Sequence, residues 1–206
     1  MADNPAKDVK RESEPAVGSR LIFEQAVDGL FRRGLGARVT PELKARLREA
    51  GLDLEKPLAV SYPLDDWKTF VHVASGALYP HLEPVEAHWW MGIHFLEGYL
   101  QTFTGRIVAE LAPALGPRRM LERIGQDLRS GNNFSEVRLV GHSPRHCELW
   151  MNDVLDDVPS FAAGFLLRAQ QLAGARGVHV DVASYDGTAC TFDIRWREAL
   201  PQAVNG

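Results

Sequence analysis

Residues 89–105 read WWMGIHFLEGYLQTFTG, and they are followed by GPRR at 116–119 and RSGNNFSE at 129–136. The first segment is dense in aromatic and small residues, which indicates a long helix that packs closely against a neighbour or a ligand. The other two indicate an arginine-rich helix that stops at Gly-Asn-Asn. Together they predict a helical layer that walls a core or a cavity and precedes a sheet. None of the three segments contains a nucleophile motif, a metal-binding cluster or a phosphate loop.

The segments before this stretch are predicted to be mainly helical. A short strand at 21–23 leads into a first helix, and Thr40 followed by Pro41 indicates the start of a second. The acidic turn at 65–66 begins a third helix. The central helix is predicted to start at Pro84 and to run to about residue 112.

Another helix is predicted from Pro117 to Leu128, and Gly131-Asn132-Asn133 is interpreted as its stop, with a left-handed residue that satisfies the last carbonyl groups. Alternating apolar and polar residues then predict strands at 134–140 and 148–154, joined by a turn at 141–145.

A helix at 158–173 follows, and two further strands flank the Asp186-Gly187 turn, which is a strong hairpin signal. The fold class is therefore α+β, with a helical N-terminal half packed on a C-terminal antiparallel four-stranded sheet. The elements of the C-terminal half follow one another along the chain as β-β-α-β-β. We expect one domain over residues 20–197, with flexible tails at 1–19 and 198–206.

Composition narrows the class of protein. The 206 residues carry a formal net charge of −4, which argues against general nucleic-acid binding, and no apolar run is long enough to span a bilayer. The two cysteines, Cys147 and Cys190, do not make a disulfide framework. A cytoplasmic location is the expectation.

Histidines and carboxylates do not form a recognisable site in the sequence. His88 and His94 lie six residues apart on the central helix, so they point in different directions. His142 and His146 lie near Cys147, a set that in principle binds zinc or haem. We expect the histidines to be turn or surface residues, with His88 or His94 as a lone axial haem ligand left open as an alternative.

Acidic residues are interpreted in the same way. Glu86 and Glu97 on the central helix and the acidic loop at 153–157 contain no pair that the sequence brings together. An acidic loop is usually solvated, and no catalytic carboxylate is assigned.

Arginines cluster around the second half of the central stretch. Arg119 and Arg123 are four residues apart, a spacing that can hold a carboxylate or phosphate. Structural pairing with Glu122, Asp127 and Glu136 is the favoured interpretation, and an anionic ligand is the alternative.

The combined motifs resemble a known family. Gly98, Thr102 and Gly105, GPRR, RSGNNFSE, Leu149-Trp150, the Pro159-x-Phe161-x-x-Gly164 pattern, Gly174-Ala175-Arg176 and the closing Trp196 resemble a myxobacterial paralogous family of about 200 residues whose function is unknown. The resemblance covers nearly all of residues 20–197. It implies no catalytic residue.

The layout of elements is also similar to 4-vinyl-reductase-like, trafficking-particle-like and haem-nitric-oxide-sensor-like domains. That resemblance implies a small hydrophobic ligand or cofactor held between helices and sheet, or a dimer formed through helices. The cysteine cluster of some of these domains and the Tyr-x-Ser-x-Arg haem motif of the sensor are absent from this sequence.

Three functional hypotheses follow. The first is a sensory or regulatory module that binds a small hydrophobic or anionic ligand in a mainly apolar pocket between the central helix and the sheet, with no catalysis assigned. The second is a protein–protein interaction module that acts as a homodimer through the aromatic helix. The third is an enzyme whose site is assembled from scattered residues. The cofactor is left open, haem included, and no metal ligand is assigned. The candidate ligand-binding residues are Trp89, Phe95, Tyr99, Thr102, Phe103, Arg119, Asn133 and Trp150.

Overall fold

The computed structural model describes residues 19–197, and the predicted tails fall outside this range except for Ser19. The helices are α1 Glu24–Val27, which continues as a π-helical segment Asp28–Gly34, a 3-10 turn Gly36–Arg38, α2 Pro41–Glu49, α3 Leu64–Leu78, α4 Pro84–Tyr99, α5 Phe103–Gly131 and α6 Ser160–Leu172. The strands are β1 Leu21–Phe23, β2 Ser61–Pro63, β3 Val137–Ser143, β4 His146–Met151, β5 Arg176–Tyr185 and β6 Cys190–Arg197.

The predicted α+β class is confirmed. β3, β4, β6 and β5 form, in that order, an antiparallel four-stranded sheet, and the helical layer packs on one of its faces. The inward residues alternate along the strands. Cys147, Leu149 and Met151 of β4 are buried beside Phe192 and Ile194 of β6. The sheet therefore supplies the floor of one continuous hydrophobic core.

Local signals at the N-terminal end are confirmed, with one omission. The Thr40 side chain accepts a hydrogen bond from the amide of Leu43 and caps α2, as the Thr-Pro pair predicts. β1 is present as predicted. Its antiparallel partner β2 was not predicted, because Ser61–Pro63 is too short and too polar to show alternation.

The extent of the central helix was predicted wrongly. α4 ends at Tyr99, not near residue 112, and a new helix begins at Phe103. Thr102 is the reason, because its side-chain oxygen accepts a hydrogen bond from the Gly105 amide at 3.1 Å and caps α5. α5 is itself kinked at Gly116, whose φ of 75° lies in the left-handed region.

The end of α5 also differs from the prediction. Asn132 has φ −160°, which is extended, so no left-handed residue stops this helix. Instead, the Asn132 amide group donates to the Leu128 carbonyl at 3.1 Å. Its side-chain oxygen accepts from the backbone amides of Phe134 and Ser135. One side chain thus replaces the backbone motif that the Gly-Asn-Asn sequence suggested.

Boundaries in the first hairpin of the sheet shift by a few residues. β3 begins at Val137 rather than at 134 and runs through Gly141 to Ser143, so the turn is shorter than the predicted one at 141–145. β4 correspondingly begins at His146 and ends at Met151, short of the predicted residue 154.

The central helices approach one another at glycines. A Cβ atom at Gly92 of α4 would overlap the carbonyl of Phe161 in α6, and one at Gly164 of α6 would overlap the carbonyl of Trp89. Since these backbones are in direct contact, the small residues of the central stretch serve helix packing. No helix within residues 19–197 is long and apolar enough to cross a membrane.

Candidate functional site

A mainly apolar cavity lies among the helices. Its walls come from β1, α1, α3, α4, α5 and α6 together with Leu155, and the cavity volume is about 50 Å³. The lining residues are Ile22, Gln25, Ala26, Trp67, Phe95, Leu96, Tyr99, Val108, Met120, Ile124, Asp127, Leu128, Ser130, Gly131, Asn132, Leu155, Phe165 and Ala169. None of these residues belongs to the four-stranded sheet, so the cavity lies between helices. The sequence had instead suggested a pocket between the central helix and that sheet.

Aromatic rings make one wall of the cavity rigid. The ring of Phe95 lies 5.8 Å from that of Trp67 and 6.1 Å from that of Phe165, both at steep angles. The Trp67 indole Nε1 donates to the Leu155 carbonyl at 2.8 Å. Leu155 has φ 64°, which is unfavourable for a leucine. Its amide donates to the Asp153 carboxylate at 2.9 Å, so the strained residue is held from both sides against the cavity.

Tyr99, Asp127 and Ser130 belong to the opposite part of the lining, although nearly all of the cavity surface is apolar. Burial raises the pKa of the Asp127 carboxyl, against the opposing effect of Arg123, whose Nη2 lies 3.8 Å from Asp127 Oδ1. Burial, and then the negative charge of Asp127, raise the pKa of Tyr99. The phenol therefore stays protonated.

Two of the eight candidate ligand-binding residues lie at this cavity, namely Phe95 and Tyr99. The remaining three of the central stretch are elsewhere. Thr102 is occupied as the cap of α5, and the Phe103 side chain is 76% exposed on the surface of that helix. Trp89 packs at its ring edge against Trp90, with centroids 5.0 Å apart.

The other three candidates lie further away. Arg119 is exposed on α5. Asn133 ties down the start of the domain, since its side chain accepts from the Leu21 amide and donates to the Ser19 carbonyl. Trp150 lies on the outer face of the sheet, with the Arg138 guanidinium 4.7 Å above its ring. Successive strand residues point to opposite faces, and the neighbours Leu149 and Met151 are buried, so the sequence pattern could have placed Trp150 on the outer face.

Most of the clustered arginines form structural contacts, as the favoured interpretation held. Arg118 pairs with Glu122 and Arg123 with Asp127, each one helical turn away. Arg129 donates to the backbone carbonyl of Ser135 at 3.3 Å. They brace α5 and the chain that follows it.

The expectation of surface histidines was wrong for the central helix. His88 and His94 are both buried. His88 Nδ1 is hydrogen-bonded to the Asp156 carboxylate, and its Nε2 lies 3.1 Å from Ser75 Oγ. His94 Nε2 lies 2.7 Å from the Tyr79 hydroxyl.

The Ser75, His88 and Asp156 side chains follow the order of a serine nucleophile, its base and the acid that orients the base. Each of the three residues is at most 3% exposed. Neither the central cavity nor the shallow outer-face depression beside Trp150 is lined by any of them. Because no substrate-sized space reaches Ser75 from either, we interpret the trio as a buried network that joins α3, α4 and the loop before α6.

The acidic loop is also less solvated than expected, because Asp153 and Asp156 are buried while Asp157 is exposed. Arg20 binds Asp153 at 2.6 Å, and burial raises the pKa of that carboxyl. The loop thus anchors the first described residues to the core. It also positions Leu155 at the cavity.

Both cysteines are free and buried on the inner face of the sheet. Burial raises the pKa of Cys147 and raises that of Cys190 to about 12. The thiols therefore stay protonated, whereas a metal ligand must be a thiolate. Within residues 19–197, no group of three or more metal-ligating side chains is assembled.

Haem does not fit the central cavity as its residues stand. Haem iron is held by histidine, thiolate, methionine or tyrosinate. The lining contains neither histidine nor cysteine, and no arginine or lysine faces the space to pair with propionate groups. Tyr99 has a raised pKa, which opposes the phenolate form, and this leaves only the neutral thioether of Met120.

Residues 20–197 match the family model "Protein of unknown function (DUF2378)". No match was found among the curated proteins. Solved structures of H-NOX proteins share the fold.

The unliganded Fe(II) H-NOX protein from K. algicida is 13% identical with a TM-score of 0.61, and the match covers 85% of this chain and 96% of that one. The S. oneidensis H-NOX protein in the Fe(II)NO state is 12% identical with a TM-score of 0.60, over 84% and 99% of the chains. An oxygen-binding H-NOX domain related to soluble guanylate cyclases is 11% identical with a TM-score of 0.59, over 84% and 92%. These likenesses confirm the sensor-like layout as a fold.

Proposed function

The chain belongs to the DUF2378 family of proteins of unknown function, and we propose that it is a sensory or regulatory module that binds a small, mainly apolar organic molecule in its central cavity. The observation that carries the proposal is the cavity itself, because Phe95, Tyr99 and Phe165 border empty space instead of meeting a solid core. Apolar pockets with a few convergent polar groups are the usual form of small-molecule sites.

The fold gives such a ligand a route to a response. The cavity is bordered by α1, α4, α5 and α6, so a bound molecule contacts several helices at once. A ligand shifts the arrangement of these helices only if it binds one arrangement more tightly than another. The kink at Gly116 divides α5 between Val108 and Met120, both of which line the cavity. We expect the two halves of α5 to be the elements whose relative position changes.

The H-NOX likeness supports the idea of a sensor, since one of these domains binds oxygen and another is in a nitric oxide-ligated iron state. The lining described above does not suit haem. We therefore propose an organic ligand in the place of a porphyrin and derive no step through iron.

Paired native and denaturing mass spectrometry on freshly purified full-length protein tests the proposal, together with calorimetric titration of 1-octanol as an apolar probe. We expect a mass adduct that is lost on denaturation, or saturable binding of octanol at about one molecule per chain. Protein that carries no adduct and does not bind octanol contradicts the proposed function.

A second candidate function, a homodimeric interaction module, is favoured by one surface. The aromatic helix α4 is unsuited to it, because Met91, His94 and Leu96 are buried within the chain. The exposed apolar side chains lie on α5 instead. They form a stripe at spacing four, which we call the α5 stripe, made of Phe103 at 76%, Ile107 at 46% and Leu111 at 45% exposure.

Charges beside the α5 stripe suit a second copy of the chain. Arg106 and Glu110 lie on one flank of the stripe, and both are exposed. In an antiparallel pair of α5 helices with a two-fold axis near Ile107, Arg106 of each copy lies opposite Glu110 of the other. Flanking charges that match in this way select partner and orientation.

Sedimentation velocity of the full chain distinguishes this candidate. Ile107→Glu is expected to convert a dimer to a monomer. Val140→Glu, which changes an exposed valine on the outer face of the sheet, is expected to leave the dimer unchanged. A dimer that survives Ile107→Glu, or an unmodified protein that is monomeric at high concentration, excludes the α5 stripe as its interface.

A further inference from the structure

Two residues that line the central cavity carry buried polar atoms whose hydrogen-bonding capacity the described part of the chain does not satisfy. Asp127 Oδ2 and the Tyr99 hydroxyl oxygen are buried, and neither makes a hydrogen bond of good geometry within residues 19–197, although the Ser130 side chain is close enough to Tyr99 to oppose the rise in its pKa. Both residues line the cavity. Buried polar atoms are nearly always paired, so unpaired ones beside an empty space mark where a ligand group belongs.

The neighbouring polar groups are already engaged. The Ser130 hydroxyl donates to the backbone carbonyl of Asp127 at 2.7 Å. The Asn132 side chain donates to Leu128 and accepts from two backbone amides. Arg123, the nearest cation, lies 3.8 Å from Oδ1 and leaves Oδ2 uncovered. The unmet requirement is therefore a donor at Oδ2, with a second polar contact at Tyr99.

The rest of the lining defines the other part of the ligand. Aromatic and aliphatic side chains such as Trp67, Met120 and Ile124 surround the remaining space. They favour an apolar body and offer no cation to hold an acidic group. A carboxylate or phosphate placed beside Asp127 would be repelled by it, because like charges at short range and low dielectric oppose one another strongly.

We infer that the cavity takes an apolar molecule carrying one amino group, with the ammonium bound by the Asp127 carboxylate and the Tyr99 hydroxyl. This inference rests on the proposed function, since it names the chemical class of the ligand for the same cavity. A cationic amphiphile thus takes the place of the small hydrophobic or anionic ligand that the sequence suggested. Arg119, the residue that suggested an anion, is exposed on α5 and lies outside the lining.

Three probes of equal chain length test the inference on the full-length protein by calorimetric titration at neutral pH: octylamine, 1-octanol and octanoate. We expect octylamine to bind at least about tenfold more tightly than octanoate, as a charge-assisted hydrogen bond to a buried carboxylate implies, with octanol between them.

Two variants assign the preference to the cavity. Asp127→Asn is expected to abolish most of the octylamine advantage while octanol binding stays within about threefold of the unmodified protein. Glu122→Gln removes an equal charge from the exposed side of the same helix and is expected to change neither affinity. Should Asp127→Asn fail to fold, Tyr99→Phe replaces it, with a smaller loss for the amine.

The outcomes distinguish a failure of the amine inference from a failure of the proposed function. If octanol binds but octanoate binds as tightly as octylamine, the amine inference is overturned and the apolar cavity stands. An amine preference that survives Asp127→Asn, or disappears with Glu122→Gln, also overturns it, because the amine is then held elsewhere. If none of the three probes binds and the purified protein carries no adduct, the proposed function itself fails.

Discussion

Gly98 and Gly29 pack backbone against backbone, so that a Cβ atom at residue 98 would overlap the carbonyl oxygen of Gly29. The contact joins the last turn of α4 to the π-helical segment after α1. Tyr99, the next residue, lines the central cavity. The glycine pair therefore sets how closely the cavity wall α4 approaches the segment that continues α1. The contact is backbone on backbone, so no side-chain rotation can relieve an overlap.

Gly98→Ala is expected to destabilise the protein by about 1–3 kcal/mol, because the added methyl group must push α4 away from the preceding segment. Gly76→Ala is the matched control. Gly76 lies in α3 with open space around it, so alanine there is expected to raise the free energy of unfolding by up to about 1 kcal/mol through helix propensity. Urea denaturation of both variants measures the difference. Equal stability of the two would show that α4 moves without strain.

Asp127→Asn is expected to stabilise the protein at neutral pH. Burial raises the pKa of Asp127 in the folded state, so the folded protein binds a proton more readily than the unfolded chain. Stability consequently rises as pH falls toward the ordinary carboxyl range, and the ionised form is the destabilising one. We expect a gain of the order of 1 kcal/mol at pH 7, which is the lower end of the penalty for a buried unpaired acceptor.

The same variant has a characteristic pH dependence. Its stability advantage over the unmodified protein is expected to shrink as pH falls from 7 toward about 4. Urea denaturation at a series of pH values checks this, with Glu122→Gln as the exposed control on the same helix. A stability advantage that grows on acidification would mean that the charge of Arg123 lowers the pKa of the Asp127 carboxyl by more than burial raises it.

Much of the fold could be predicted from the sequence, because its signals come from residues that are close together along the chain. The Thr40 cap and the Asp186-Gly187 turn each depend on residues within a few positions of one another, and both are present. Thr102 has the same local signature as Thr40, with its acceptor bound by the amide three residues on. It was overlooked because apolar residues continue on both sides of it.

The site was less readable because its contacts are distant along the chain. His88 and Asp156 are 68 residues apart, and Trp67 binds the Leu155 carbonyl across 88 residues. No spacing rule brings such pairs together before the helices are packed. Phe95 and Tyr99 were identified from composition alone. Asp127 was considered only as a partner for an arginine. Its place in the cavity lining is known only once the chain is folded.

His94 is expected to make the protein less stable in mild acid. Burial, followed by the positive charge of Arg38, lowers the pKa of His94 in the folded state. The folded protein therefore binds fewer protons than the unfolded chain once pH falls below the ordinary histidine pKa of about 6.5. The contribution of neutral His94 to the free energy of unfolding is therefore lost as the pH falls from the pKa of the unfolded state to the lower pKa of the folded state.

Thermal unfolding between pH 7.5 and 5 measures this contribution of His94. His94→Gln is expected to flatten the pH dependence, while His81→Gln, at an exposed histidine, is expected to leave it as in the unmodified protein. If the two variants flatten it equally, burial of His94 is not the cause.

Haem added to the purified protein is expected to give the spectrum of free haem, because the cavity lining supplies no histidine or thiolate to bind the iron. Absorption spectroscopy with reduced and oxidised haem measures this directly. A sharp band at a stoichiometry of one, shifted from that of free haem, would show a ligand that the described lining does not contain. Repeating the titration with His94→Gln and His88→Gln would then identify it.

Ala169→Met is expected to close the cavity without unfolding the protein. Ala169 lies on α6, is fully buried and faces the empty space, so a longer, flexible side chain can extend into it. Filling a cavity adds apolar contacts, and we expect the free energy of unfolding to stay the same or rise by up to about 2 kcal/mol. Octanol and octylamine are both expected to lose at least about tenfold in affinity, because the space for their apolar bodies is occupied. Ala183→Met adds the same side chain to an exposed position of β5 and is expected to change neither property. If Ala169→Met binds both probes as tightly as the unmodified protein does, these molecules bind outside the central cavity.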